Sequence, residues 1–241
     1  MTETRQSFHQ QLDGVREEII ALAAAVAELI PRGTAVLLDG DLEGADYLIR
    51  ADDAIDAQSL DIEERCYQLL ALQQPMAGDL RRIAAALKIV GELERSADLV
   101  VNICKAARRL HGHELDAKLR GIIARMSEQA HHLYRAALDA YADADAAMAA
   151  AIDDMDNLLD NLQREFIQAI FESHAAGLTD LQVGVQLAMV CRFYERIGDH
   201  AVNVGERVRY QVTGWLPEHA GAERFRREHA GTPAGEVSPE S

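Results

Sequence analysis

No proline stands between Pro75 and Pro217, and apolar residues recur at every third or fourth position through that whole stretch. Proline removes a backbone donor and breaks or kinks a helix. A long chain without it, patterned at the helical period, has helices as its natural regular structure. No segment alternates as a half-buried strand would, and aromatic residues make up only 5% of the chain. The sequence therefore predicts an all-α protein.

The breakers divide it into six long helices. The first covers about 4–38, with a kink near Pro31 and Gly33. The second covers 41–74, after an Asp-Gly-Asp turn. Gln-Pro-Met-Ala-Gly then leads to a third, with Asp79 as N-cap, reaching about 110. His-Gly-His at 111–113 precedes a fourth over 114–142. Asp143 or Asp145 opens a fifth to about 176, and Thr179 caps a sixth that runs to about 213. From Gly214 onward, three of the five prolines mix with Gly, Ser and Glu. This predicts a flexible tail over 214–241 with a short helical turn around Ala222–His229.

The six helices fall into two sets of three. Asp79–Lys105 aligns with Asp180–Glu206 at an offset of 101 residues, with identities at Asp79/Asp180, Leu80/Leu181, Glu94/Glu195, Arg95/Arg196, Asp98/Asp199, Val101/Val202 and Asn102/Asn203. Upstream the offset is 104, pairing Asp52 with Asp156 and Asp56 with Asp160. The three-residue change falls in a loop, where insertions are tolerated. The chain then reads as two tandem three-helix bundles, 1–110 and 111–213, followed by the tail.

The formal net charge of −16 is localised. Asp39–Glu64 holds ten acids and one base, Asp139–Glu165 eight acids and one base, and the rest balances. An acidic chain lacks the basic footprint that a phosphate backbone requires, which excludes nucleic acid as a partner. No apolar run approaches the ~20 residues of a membrane span, and the N-terminus has no signal-peptide pattern. Cys66, Cys104 and Cys191 are odd in number and widely spaced, as buried thiols in a reducing compartment would be. These features point to a cytoplasmic protein without membrane insertion.

Within the acidic blocks, certain carboxylates stand where apolar residues belong. On the second helix the expected seam is Leu42, Ala45, Ile49, Asp52, Asp56, Ser59, Glu63, Cys66 and Leu70. On the third it is Leu80, Ile83, Leu87, Val90, Glu94, Ala97, Val101 and Cys104, with Asp98 one turn beyond Glu94. Asp156 and Asp160 face the same way in the second half. So do Glu195 and Asp199, on a seam with Leu181, Ala188, Cys191 and Val202. Acids at i and i+4 repel one another, and burying an ion without a counter-charge costs several kcal/mol. Two helices each offering such a pair converge four carboxylates on one volume, which a bound cation would relieve. Oxygen-only donors suit hard ions such as iron, manganese, magnesium or calcium. Asn102, Asn203 and Glu206 continue the same face, as further ligands or as partners to the ligands. The competing reading is a solvated acidic face. Glu128 and His131 form one ExxH, but a ferritin-like di-iron site needs two. His200, beside Asp199, reads as a surface or internally bonded histidine.

The segment Phe193-Tyr-Glu-Arg-Ile-Gly-Asp-His-Ala-Val-Asn, together with Glu94-Arg-Ser-Ala-Asp and Gln74-Pro-Met-Ala-Gly-Asp-Leu-Arg, resembles the PhoU family. The likeness extends over about residues 4–213. It implies a pair of three-helix bundles related by pseudo-twofold symmetry, and multinuclear metal clusters, iron or zinc among them, on paired D/ExxxD motifs. Residue by residue, these motifs are Asp52, Asp56, Glu94 and Asp98, then Asp156, Asp160, Glu195 and Asp199. The first repeat departs from the motif, with Ser96-Ala97 in place of Ile-Gly and Lys105 where the second repeat has Glu206. The resemblance further implies a non-enzymatic regulator that restrains phosphate uptake and phosphate-starvation signalling. Its partners would be a phosphate ABC transporter ATPase and a phosphate-sensing histidine kinase, and it would form a homodimer. A carboxylate-bridged metalloenzyme, phosphohydrolase-like or oxygen-activating, is the alternative. No nucleophile or histidine base recurs beside both clusters to support it.

Overall fold

The computed structural model describes residues 2–73 and 75–215. It contains six helices: α1 (Thr2–Asp39), α2 (Leu42–Gln73), α3 (Ala77–Leu110), α4 (Ala117–Asp143), α5 (Ala146–Ala175) and α6 (Leu181–Thr213). Among the described residues there is no strand. The predicted tail turn at Ala222–His229 lies outside the described residues. Helix α1 continues through Pro31 as a single element.

The ends of the helices show which residues set their boundaries. Asp116 accepts from Lys118 N (3.1 Å), and Asp145 accepts from Ala147 N and Met148 N (2.8 and 3.0 Å). These bonds satisfy amides that a helix N-terminus leaves unpaired. Two expected caps differ. Helix α3 starts two residues earlier than Asp79, behind Met76, which offers no side-chain cap. Asp79 instead lies in the first turn and meets His9 of α1 at 3.3 Å. At α6 the cap is Asp180, which accepts from Val183 N at 2.9 Å. Thr179 is buried and bonded to the Ser173 hydroxyl (2.7 Å), closing the α5–α6 loop. Gly214 ends α6 at φ +78°, a left-handed conformation that a side chain would strain.

Helices α1, α2 and α3 pack together, as do α4, α5 and α6. The two sets meet through α3 against α6 and α1 against α4. One continuous apolar core runs through both, from Ile19, Leu22, Val26 and Ile30 on α1 to Phe166, Leu187, Val190 and Ile197 on α5 and α6. Contrary to the sequence expectation, α1 alone among the described helices is long and apolar enough to cross a membrane by length and composition. Its apolar face is occupied by this core, which accounts for its composition. Two buried hydroxyl clusters sit in the core. Thr34 Oγ1 bonds Ser127 Oγ (2.7 Å) and Tyr194 Oη (2.6 Å), tying α1, α4 and α6. Tyr134 donates to Ser96, tying α4 to α3.

The structure corrects the phase of the α2 seam. The buried row is Ala45, Leu48, Ile55, Ser59, Ile62, Cys66 and Leu69. Leu42 is exposed and Leu70 only half-buried. Leu48, Ile55, Ile62 and Leu69 recur every seven residues and are all apolar, so this row buries more apolar surface than one containing Asp56 and Glu63. On α3 and α6, Leu80 and Leu181 are likewise exposed rather than on the core seam.

Candidate functional site

The rephased helices place the acids at the margin of the core. Asp52 and Glu94 are half-buried, while Asp56 and Asp98 are exposed. In the second half Asp156, Asp160 and Glu195 are half-buried and Asp199 is exposed. The first half thus has an inner pair against the apolar seam and an outer pair facing solvent, while in the second half only Asp199 faces solvent.

The four acids of each half lie close enough to repel one another. Burial pushes the Asp52 carboxyl up to about 6, and the charges of Asp56, Asp98 and Glu94 push the same way while Lys105 opposes them. Burial likewise pushes Asp156 up to about 6, reinforced by Asp160, Asp199 and Glu195. Glu94 is raised by burial and then by Asp98 and Asp56. Glu195 is raised by burial and Asp199, against the opposing charge of Arg192, whose guanidinium bonds it. Both causes disfavour the ionised form. In both repeats the four acids are therefore electrostatic neighbours.

Three buried oxygens in these clusters have no hydrogen-bond partner: Asp52 Oδ1, Asp156 Oδ1 and Glu195 Oε2. Buried polar atoms are paired as a rule; Ser59 Oγ and His200 Nε2 are likewise without a partner, and the three cluster oxygens have capacity for a further one, a cation included. The glycine of the second motif explains how α5 comes so near. A Cβ built on Gly198 would lie 2.5 Å from Asp156 Oδ1 and 2.6 Å from Leu159 Cδ2. The donor set is all oxygen and fits a hard cation. Among the described residues, however, no three His, Cys, Asp or Glu side chains already stand in a metal-holding arrangement. The acids are gathered but not converged on one point.

The remaining predicted residues separate. Asn203 donates from Nδ2 to Glu92 Oε2 (3.2 Å), so its amide serves the α3–α6 contact rather than the acidic cluster. Asn102 and Glu206 are half-buried. His200 is buried, with Nδ1 2.6 Å from Glu92 Oε2, which bears out an internally bonded histidine.

Glu92 is the residue that the sequence reading missed. Its side chain is 11% exposed and also accepts from Arg95 (2.6 Å). Burial alone would raise its carboxyl. The bonds from His200 and Asn203 and the charge of Arg95 outweigh burial and hold it below the usual range. A signal existed in the mismatches of the repeat: Glu92 aligns with Phe193, and His200 with Leu99. A charged residue facing an aromatic mate, and a histidine facing a leucine mate, mark an exchanged pair.

Fold and site together define a class: a duplicated three-helix bundle with a paired-carboxylate cluster in each half. The PhoU domain model matches residues 19–107 and 123–208, one match per repeat, and the chain belongs to the PhoU family. It is 34% identical over 214 residues to the phosphate-specific transport system accessory protein PhoU homolog 1 of Mycobacterium tuberculosis, covering 88% of this chain and 96% of that one. It is 30% identical over 212 residues to the PhoU homolog of Clostridium acetobutylicum, covering 88% and 96%. The crystal structure of PhoU from Pseudomonas aeruginosa superposes with a TM-score of 0.80 at 28% identity, covering 86% of this chain and all of that one. The phosphate transport system regulatory protein PhoU of Streptococcus pneumoniae superposes at 0.79 and 26% identity, covering 87% and 98%.

Proposed function

We propose that this chain is a cytoplasmic accessory protein of phosphate transport that restrains phosphate uptake and phosphate-starvation signalling by binding rather than by catalysis. The carrying observation is the match to accessory proteins of the phosphate-specific transport system over nearly their whole length, with both repeats present. The site chemistry supports a binding role. Burial pushes the thiols of Cys66 and Cys104 up to about 11 and that of Cys191 to about 12, so all three stay protonated at neutral pH. The Nδ1 of buried His200 is taken by Glu92. A groove of about 340 Å³ opens beside Leu37, His111, His113 and Arg120, between the end of α1, the α3–α4 loop and the start of α4, and is lined by none of the eight acids.

On this reading Asp52, Asp56, Glu94 and Asp98 hold cations in one repeat, and Asp156, Asp160, Glu195 and Asp199 in the other. The ion would be iron, zinc, manganese or magnesium, singly or as a cluster. When bound it supplies the positive charge that the gathered carboxylates lack. The orphaned oxygens of Asp52, Asp156 and Glu195 support this assignment. The partners are the phosphate ABC transporter ATPase and a phosphate-sensing histidine kinase, and the chain pairs as a homodimer.

The regulatory role is tested by deleting the gene and reading phosphate-starvation transcripts in ample phosphate. Constitutive expression is expected, and normal repression overturns the role. Metal analysis of protein purified without chelator tests the site. Bound metal is expected, and a metal content unchanged from the wild type in both Glu195→Ala and Asp199→Ala chains refutes the assignment in the second repeat.

A further inference from the structure

We propose that the buried Glu92–His200–Asn203 bridge couples the two carboxylate clusters, so that a cation held in one repeat raises the affinity of the other. This rests on the cation-binding reading above. The bridge spans α3 and α6, the helices through which the two repeats meet. Its two ends stand beside the clusters. Glu92 is two residues before Glu94, His200 follows Asp199 directly, and Asn203 is one turn further along the same helix. Glu92 Oε2 receives both His200 Nδ1 (2.6 Å) and Asn203 Nδ2 (3.2 Å), while Oε1 takes Arg95 (2.6 Å). The side chains of Glu92 and His200 are 11% and 9% exposed, so water cannot readily replace these bonds.

Cohesion alone does not call for charge at this contact. The repeat puts Phe193 and Leu99 at the positions equivalent to Glu92 and His200. An apolar pair is thus compatible with the fold, and a buried polar pair is often no more stabilising than an apolar one. What directional, desolvated bonds add is a fixed relation between two backbones. Without a cation, like charges push α2 from α3 and α5 from α6. A cation in the first cluster draws Glu94 and Asp98 inward and sets the position of the α3 turn that carries Glu92. The bridge passes that position to His200 and Asn203, and the same turn of α6 carries Asp199. The second cluster is then partly ordered before its own cation arrives, which is positive coupling.

The test is a thermodynamic cycle read by calorimetric titration of the chelator-treated full chain with Mn²⁺. Disabling the first cluster by Asp52→Asn with Asp56→Asn is expected to weaken Mn²⁺ binding at the second by at least about fivefold. In a Glu92→Phe/His200→Leu background, which copies the apolar mates, the same disabling is expected to leave the second cluster's Mn²⁺ affinity and stoichiometry unchanged. Should that pair not fold by circular dichroism, Glu92→Gln with Asn203→Leu serves as the background. An unchanged second cluster in the intact bridge, or an undiminished loss in the bridge variant, overturns the coupling alone. No Mn²⁺ bound by the unmodified chain overturns the cation reading and the coupling with it.

Discussion

Replacing Asp52 and Asp156 by asparagine tests the electrostatic account of the clusters directly. Each carboxyl titrates near 6 in the fold against 3.8 when unfolded. A raised folded-state value means the native state binds the proton more tightly, so acidification stabilises it. Above pH 6 both states are ionised and the native state carries the full penalty. A shift of roughly two units corresponds to about 3 kcal/mol, but solvent screens carboxyls that are only half-buried, so the penalty is on the order of 1–2 kcal/mol for each residue. Between pH 7.5 and pH 5 roughly half of it is relieved. Without metal, the wild-type chain should therefore gain on the order of 1–2 kcal/mol over that interval from these two residues. In a protein of this size that is a rise in Tm of roughly 2–8 °C.

The double asparagine variant keeps the size and loses the charge. At pH 7.5 it should be more stable than the wild type by several kcal/mol, and the advantage should shrink at pH 5. Thermal denaturation with chelator present, at both pH values, gives the comparison, and the difference between the two chains cancels the titration of every group outside the two clusters. Added Mn²⁺ should reverse the order at pH 7.5, stabilising the wild type only. If the two chains share one pH dependence, or the variant is the less stable at pH 7.5 without metal, the burial and repulsion assigned here are wrong.

Four further substitutions probe the packing and the asymmetry. Gly198→Ala drives a methyl against Asp156 Oδ1 and Leu159 Cδ2 and should cost about 1–3 kcal/mol in denaturant unfolding. Leu159→Ala, at a fully buried position behind the same cluster, should cost about 2–5 kcal/mol by the same measurement. Thr34→Val strips the hydroxyl shared by Ser127 and Tyr194 and should cost about 1–3 kcal/mol. Lys105→Glu should lower the Tm of the metal-free chain at pH 7.5 and leave it unchanged at saturating Mn²⁺, since Lys105 opposes the rise at Asp52.

Much of this fold was legible because its signals are local and repeated. The proline gap, the helical period and the duplicated ExxxD segment each point to the same six helices, and levels that agree are what make a chain foldable. The boundaries at Asp145 and Gly214 followed from cap chemistry or a lone glycine, whereas the start of α4 at Asp116 lies two residues past the expected 114. Asp79 and Thr179 were misassigned because a polar residue near a helix start can cap, sit in the first turn or close a loop, and tertiary neighbours decide. His9 takes Asp79, and Ser173 takes Thr179. The α2 seam was displaced because apolar residues stand on both sides of the stripe, at Leu48 and Ile49 and again at Leu69 and Leu70. Only the packing against α1 and α3 shows which row is inside. The acid clusters survived that error because a one-residue rotation moves Asp52 to the edge of the seam without separating it from Asp56.

The exchanged residues of the repeat show why duplication does not leave the halves equivalent. A contact between repeats joins one copy of a position to one copy of its neighbour, so a substitution in either copy breaks the symmetry at that contact. Glu92 and His200 are such a substitution, and their mates Phe193 and Leu99 keep the apolar version. Lys105 and Glu206 are another: Lys105 lies beside the first acidic cluster and opposes the charge on Asp52, while the equivalent position of the second half is an acid. Arg192 adds a third, bonding Glu195 where the first half has Gly91 and leaves Glu94 without that partner. The fixed cation therefore acts on α2 Asp52 in one half and on α6 Glu195 in the other. Displacing either by a bound ion frees a different helix, so the two clusters cannot respond to the same cation in the same way.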